Sequence, residues 1–357
     1  MSYPRLFGSV QRVLSRTALQ NTRSSTIKGT SLLAAVSRRA LSASVVTDHY
    51  PTRKSVSGLY PRVDPWFWED KNGVRPTGPI TDAQLKEYDE KGYFVMPNFF
   101  SQEEIQPVID AIYKHKNAIE SSLKDDEDPT LTPEISYSTE PGTKRLRSQF
   151  GLHRQMPELN DILKHKRIIQ YVRQILADDV YIHQDLVNFH TAFTGIGHNW
   201  HSDFEFFHAE DGMPNMRAMF CSIMLTKNTP DRGATMVIPG THKIFVGNPT
   251  ETPKNQLGTS SKYKIEAGET DQKLFTDLAN KYGIEYLVGD AGSVVFCDIN
   301  VLHGNHTNMS PWDRLNLLPV YNSISNKVGK PFSAPWERRP EYIATRNKEN
   351  ITPIPYQ

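Results

Sequence analysis

The stretch Trp200-His201-Ser202-Asp203-Phe204-Glu205 decides how this chain is read. Its His-x-Asp step sets an imidazole and a carboxylate two residues apart. On an extended strand, or at its exit, residues i and i+2 project to the same side, so His201 and Asp203 can grip one ion. A third ligand then has to come from a segment remote in sequence and adjacent in space, and His303 fits that place. Two histidines and one carboxylate make the facial triad that holds non-haem Fe(II) and leaves the opposite positions open for a co-substrate and O₂. His242 competes for the third place, but it closes a Pro239-Gly240-Thr241-His242 turn with no arginine suitably spaced after it. Glu205 competes with Asp203 and has no histidine two residues before it.

Arg314 follows His303 by 314 − 303 = 11 residues, room for a strand and a turn. A buried guanidinium there could take the distal carboxylate of a 2-keto acid bidentately. Triad plus arginine is the minimum apparatus of a 2-oxoglutarate-dependent oxygenase. Taken singly, each of these residues has a plainer reading as a core histidine or a surface charge; their order and the strand-like run before each half make the set. Trp200, Phe204, Phe206 and Phe207 could form an aromatic collar that excludes water and holds a substrate, with core packing the plainer reading of Phe204. Gln184 and Asn188 point to one side of a strand, where they could hydrogen-bond a small ligand. Asp298 and Asn300 could orient His303. His208 reads as a supporting or surface residue.

Working outward, Thr81-Asp82-Ala83-Gln84 and Ser101-Gln102-Glu103-Glu104 are capping boxes. The first opens a helix to about Lys91. The second opens one whose Ile105, Val108, Ile109 and Ile112 form an apolar face. Tyr93 to Met96 reads as a strand, Lys124 to Pro141 as a loop and Pro157 to Leu176 as helix. Val46 to Pro79 reads as an extended arm. After Asp179, short β-prone runs take over at Val180-Tyr181-Ile182, Met219–Leu225, Ala234–Ile238, Gly292–Cys297 and Leu315–Tyr321. Helices first and strands later predict an α+β fold with a jelly-roll, cupin-like core, a double-stranded β-helix flanked by N-terminal helices.

The N-terminus has a composition of its own. From Met1 to Thr47 there is no acid, while Arg5, Arg12, Arg16, Arg23, Lys28, Arg38 and Arg39 punctuate a Ser/Thr/Ala/Leu-rich segment. That is transit-peptide composition, which predicts mitochondrial import, with a disordered tail on a cytoplasmic protein as the alternative. The catalytic domain is expected at 48–357. With a net charge of +1 over 357 residues there is no electrostatic case for nucleic acid or an acidic membrane. Two cysteines, Cys221 and Cys297, argue against a disulfide scaffold. The expected partner is a small molecule, and a homodimer stays open.

His201-Ser202-Asp203-Phe204-Glu205, His208 and Glu210-Asp211-Gly212-Met213-Pro214 closely resemble the signature of the ectoine hydroxylases of the phytanoyl-CoA dioxygenase superfamily. Tyr50-Pro51-Thr52-Arg53, His183-Gln184, the Met236–His242 segment, His303-Gly304, Arg314, Asn316 and Tyr321-Asn322 extend the resemblance from Tyr50 to about Lys327. It implies Fe(II) at His201, Asp203 and His303, O₂ and 2-oxoglutarate as co-substrates, and ascorbate as reductant. It also implies hydroxylation of an aliphatic C–H, with ectoine giving 5-hydroxyectoine as the leading candidate. The co-substrate would meet Arg314, Asn188 and Ser222; the substrate would meet Gln184, Phe207 and Asn316. Several pocket positions depart from the pattern: Phe206-Phe207 for Thr-Trp, Asp185-Leu186 for Ser-Arg, His190 for Lys, His198 for Phe and Leu318 for Phe. Two alternatives therefore stand: the same chemistry on a larger natural product or acyl substrate, and a non-enzymatic cupin-like metal-binding protein.

Overall fold

Two capping boxes open the helical layer, as the sequence predicts. Thr81 starts α1 (Asp82–Lys91) by accepting from the Gln84 backbone N–H, and Ser101 starts α2 (Gln102–Ser122) in the same way through Glu104. Gly92 ends α1 at φ +85, in the left-handed region; a Cβ there would stand 2.5 Å from the His242 ring, so only glycine lets α1 turn directly into the sheet. The helix predicted over Pro157–Leu176 is two, α3 (Pro157–Leu163) and α4 (Lys166–Leu176), because the His165 side chain caps a new start by accepting from the Arg167 backbone N–H. The computed structural model describes residues 48–54, 57–125, 129, 135–252, 271–334 and 339–356. The transit-peptide expectation for residues 1–47 lies outside them.

Among the described residues, seven antiparallel strands form the main sheet. In chain order they are β2 (Tyr93–Met96), β3 (Tyr137–Thr139), β4 (Leu146–Phe150), β5 (Val180–His190), β7 (Ala218–Met224), β11 (Val294–Asp298) and β13 (Arg314–Ser323), arranged β2-β11-β7-β13-β5-β4-β3. A four-stranded antiparallel sheet holds β6 (His198–His201), β8 (Met236–Val237), β10 (Glu285–Tyr286) and β12 (His303–Asn305) in the order β10-β8-β12-β6. The arm forms β1 (Gly58–Pro61), which pairs with β9 (Ile244–Gly247). Short α5 (Asp203–Phe206) and α6 (Gln272–Tyr282) are the remaining α-helices among the described residues. This is the α+β jelly-roll core with N-terminal helices that the sequence predicts. Part of the expected loop Lys124–Pro141 is the edge strand β3.

Alternation sorts the main sheet into two faces. Val294 and Phe296 of β11 face the helices, where Phe296 stacks on Phe94 and Tyr171 at 5.2 and 4.9 Å; Val295 and Cys297 face inward, packing with Phe204, Val237 and Val320. A β-bulge resets this alternation in β5. Ile182 pairs with Tyr321 and Gln184 with Val320, leaving His183 as the extra residue. Before it, Val180 and Ile182 face the helices; after it, Val187 and Phe189 do. Gln184, Leu186 and Asn188 are thereby turned into the interior between the sheets. Among the described residues no helix is long and apolar enough to cross a membrane.

Candidate metal centre

The last residue of β6 and the first of β12 are direct cross-strand partners, and these are His201 and His303. Their rings lie 4.4 Å apart between centroids. Ser202 leaves the strand still extended, and α5 starts at Asp203, so the carboxylate is swung beneath both imidazoles. Asp203 Oδ1 is 3.6 Å from His201 Nε2 and 3.9 Å from His303 Nε2. One ligand atom from each of the three residues lies within 4.8 Å of the others. Two contacts fix the strand exit: Ser202 Oγ donates to Asn300 Oδ1 at 3.0 Å, and the Phe204 backbone N–H donates to the Ile299 carbonyl at 3.0 Å.

Each histidine is oriented by its own backbone. His201 Nδ1 is 2.6 Å from the Asn199 carbonyl, and His303 Nδ1 is 3.1 Å from the Val301 carbonyl. A carbonyl only accepts, so both Nδ1 atoms carry a proton, and Nε2 is the atom each ring turns towards Asp203. This corrects the expectation for Asp298 and Asn300. Asp298 pairs with Arg62 at 2.8 Å; Asn300 holds Ser202 and donates to the Ile244 carbonyl. Neither is bonded to His303.

Burial and neighbouring charge set the protonation of the trio. Burial, reinforced by the charge of His201, pulls His303 down to about 4. Burial also pushes His201 down, but the Asp203 carboxylate outweighs it and leaves His201 above the usual imidazole value. Burial pushes Asp203 up, while His303 and His201 together hold it below the usual carboxylate range. With each Nδ1 committed to a backbone carbonyl, the donor set open to a metal is one carboxylate and two imidazole Nε2 atoms on one side of a cavity. That set suits a divalent transition metal of the facial-triad type.

The cavity above the trio measures about 100 Å³. Gln184, Asn188, Ser222 and Arg314 line it, together with Leu186 and Leu318. Arg314 is buried, and burial alone brings it down to about 10; among the described residues no carboxylate pairs with it. Gln184 Nε2 donates to the Ile343 carbonyl at 2.8 Å. Two expected substrate contacts fall elsewhere. Phe207 packs edge-on against His183 at 4.9 Å in the core, and Asn316 is fully buried beside Arg314; neither lines the cavity. The predicted aromatic collar likewise separates: Trp200 packs on Phe275 of α6, Phe204 lies in the core, and Phe206 alone meets the triad, its ring 5.6 Å from His201. His242 is buried against Trp66 and Tyr88, away from the trio.

The residues that follow Asp203 build a second charged cluster, fully buried. Arg53 grips Glu205 through Nε and Nη2 at 2.6 and 2.8 Å and reaches Glu210 at 3.1 Å. Arg339 grips Asp211 through Nε and Nη2, both at 2.7 Å, and reaches Glu210 at 3.3 Å. Gly212, at φ +79, closes the turn against the Lys330 carbonyl, where a Cβ would stand at 2.3 Å. His208 is buried, stacked on Phe332 and hydrogen-bonded to the Met213 carbonyl, which excludes a surface role. The acidic motif thus anchors the turn that carries Asp203 to the arm on one side and to the C-terminal segment on the other. Sequence reading missed Arg339; three buried acids within seven residues, one arginine in the arm, was the available sign that another cation had to arrive.

A family model described as phytanoyl-CoA dioxygenase matches residues 88–315. The ectoine dioxygenase of Streptomyces avermitilis is 37% identical over 87% of this chain and 99% of its own length. That of Sphingopyxis alaskensis is 35% identical over 84% of this chain and 94% of its own. The crystal structure of EctD from S. alaskensis with 2-oxoglutarate and 5-hydroxyectoine superposes with a TM-score of 0.71 at 33% identity, covering 84% of this chain and 95% of that one. The same enzyme with bound Fe gives 0.72 at 32% identity, covering 87% of this chain and 98% of the other.

Proposed function

The chain belongs to the phytanoyl-CoA dioxygenase family, and from that premise we propose that it is an Fe(II)- and 2-oxoglutarate-dependent dioxygenase that hydroxylates ectoine to 5-hydroxyectoine. The observation that carries this reading is a triad of free Nε2, Nε2 and carboxylate donors beneath a cavity whose far wall holds an unneutralised arginine. His201, Asp203 and His303 would hold the metal. Bound there, Fe(II) supplies the dioxygen chemistry that couples decarboxylation of 2-oxoglutarate to succinate and CO₂ with insertion of one oxygen atom into a C–H bond.

The protein's own part is orientation. Arg314 takes the distal carboxylate of the co-substrate, so its 2-oxo end is aimed at the metal ligands. Asn188 and Ser222 offer amide and hydroxyl groups along the same path. Gln184, already held by the Ile343 carbonyl, presents its remaining amide oxygen to the substrate. The test is to incubate the full chain with Fe(II), ascorbate, 2-oxoglutarate and ectoine and look for a product heavier by one oxygen. Absence of that product from iron-loaded protein overturns the ectoine assignment.

One observation favours a second substrate for the same chemistry. Leu186 and Leu318 face each other in register across the cavity wall, where the resembling pattern has Arg and Phe. That wall is more aliphatic than a compact cationic ring requires, and it suits an acyl or larger apolar compound. Substrate-stimulated succinate release by such compounds and none by ectoine would select it. For residues 1–47 we retain the import proposal on composition alone; a reporter fusion that stays in the cytosol removes it.

A further inference from the structure

Arg314 is a buried cation with very little to hold it. Burial alone accounts for its lowered proton affinity, and its Nε has no hydrogen-bond partner. A guanidinium in that position has two ways to fail: it can swing, or it can be neutralised by a protein carboxylate before any ligand arrives. Neighbouring amides prevent both.

Asn316 lies two residues further along β13, on the same face as Arg314. Its amide has one orientation that satisfies every neighbour. With the oxygen towards the guanidinium, Oδ1 accepts from Arg314 Nη1 at 2.9 Å and from Asn228 Nδ2 at 2.9 Å. The nitrogen then donates to Asn228 Oδ1 at 3.0 Å and to the Leu315 carbonyl at 2.9 Å. The reverse orientation would set an N–H against the guanidinium, donor against donor. Asn316 and Asn228 thus form a reciprocal amide pair. Asn228 is itself fixed, its backbone N–H donating to the Gly289 carbonyl at 2.8 Å. Ser222 Oγ, on the cavity wall, is 3.3 Å from the same end of the Asn316 amide. Both asparagines are buried, at 0% and 1% exposure, and neither lines the cavity.

We propose that Asn316, clamped by Asn228, is a positioning residue for the co-substrate: it aims Arg314 and leaves its charge free for an incoming carboxylate. The reading of Asn316 as a substrate contact is replaced by one in which it acts through Arg314. A neutral acceptor is what this position needs. An aspartate would hold the guanidinium equally well but would occupy the site that a 2-oxo diacid has to fill.

This inference rests on the proposed dioxygenase function, so wild-type turnover of 2-oxoglutarate is measured first; without it the functional proposal fails, and the direct affinity of each variant for 2-oxoglutarate, read by calorimetric titration, then tests the positioning role on its own. Given turnover, N316A raises KM for 2-oxoglutarate on the order of tenfold, and N316D on the order of a hundredfold, as befits loss or internal capture of a charge-assisted hydrogen bond. KM for the organic substrate changes far less in both, and thermal melts check that each variant is folded. N228A, which touches Asn316 and not the guanidinium, shifts the same constant in the same direction by less. An unchanged KM for 2-oxoglutarate in folded N316A and N316D overturns the proposal. A selective rise in KM for the organic substrate also overturns it and restores the substrate contact. If neither Asn316 variant folds, N228A decides alone: an unchanged KM for 2-oxoglutarate refutes the clamp.

Discussion

Two clusters of buried charge lie close together in this protein, and they are built on opposite plans. In the turn after Asp203, each of Glu205, Glu210 and Asp211 meets a guanidinium of Arg53 or Arg339. Burial pushes Asp211 up, yet Arg339 and His183 together hold it down to about 2. On the cavity wall, Arg314 meets no carboxylate among the described residues and is held by a neutral amide. Charges that neutralise each other inside the protein serve as architecture. A buried charge left without its counter-ion is a seat for a ligand that brings one.

The largest effects should come from the open site. His201→Ala or Asp203→Ala removes one of three metal donors, and succinate formation should fall to background while thermal stability changes little. Robust turnover in either variant would detach the chemistry from the trio. Next comes the closed cluster. Arg339→Met strips Asp211 and Glu210 of a fully buried partner and should cost about 3–5 kcal/mol of stability in urea unfolding, the range for breaking a buried pair. A loss well below that would mean the cluster is not the anchor its geometry implies.

A smaller effect depends on pH. Burial pulls His242 down to about 4, and neither ring nitrogen has a hydrogen-bond partner. In the unfolded chain the same group takes a proton near 6.5, so between about pH 6.5 and 4 only the unfolded state binds it. Stability should therefore fall as pH drops through that window, by up to about 1.4 kcal/mol per pH unit from this group. His242→Phe should make the curve shallower there, and a slope equal to wild type would refute the assignment. Smallest of all, Ser202→Ala removes the bond to Asn300 that fixes the strand exit. It should cost about 1 kcal/mol of stability and weaken metal binding by about tenfold, both readable by melting and by metal titration.

What could be read from the chain follows from range. His201 and Asp203 are two residues apart, and the capping boxes of α1 and α2 are complete within four residues, so local geometry made them legible. The bulge at His183 was not, because nothing in His-Gln marks an extra residue; only the pairing with β13 reveals that it turns Gln184 inward. The orienting partners of His201 and His303 are main-chain carbonyls, which every residue carries and no pattern announces. Arg339 joins Asp211 across 128 positions. Resemblance puts Phe207 and Asn316 on a binding wall; the structure sets both behind it, one against His183 and one against Arg314.

The open cluster, in this reading, seats a 2-oxo diacid beside a metal. The most direct measurement is succinate released by the full chain with Fe(II), ascorbate and 2-oxoglutarate under air, with and without ectoine, alongside Arg314→Met. Ectoine-stimulated succinate, equimolar with hydroxylated product, is expected, with a large rise in KM for 2-oxoglutarate when Arg314 is removed. No succinate from iron-loaded wild type, or the same KM in the Arg314 variant, would contradict it.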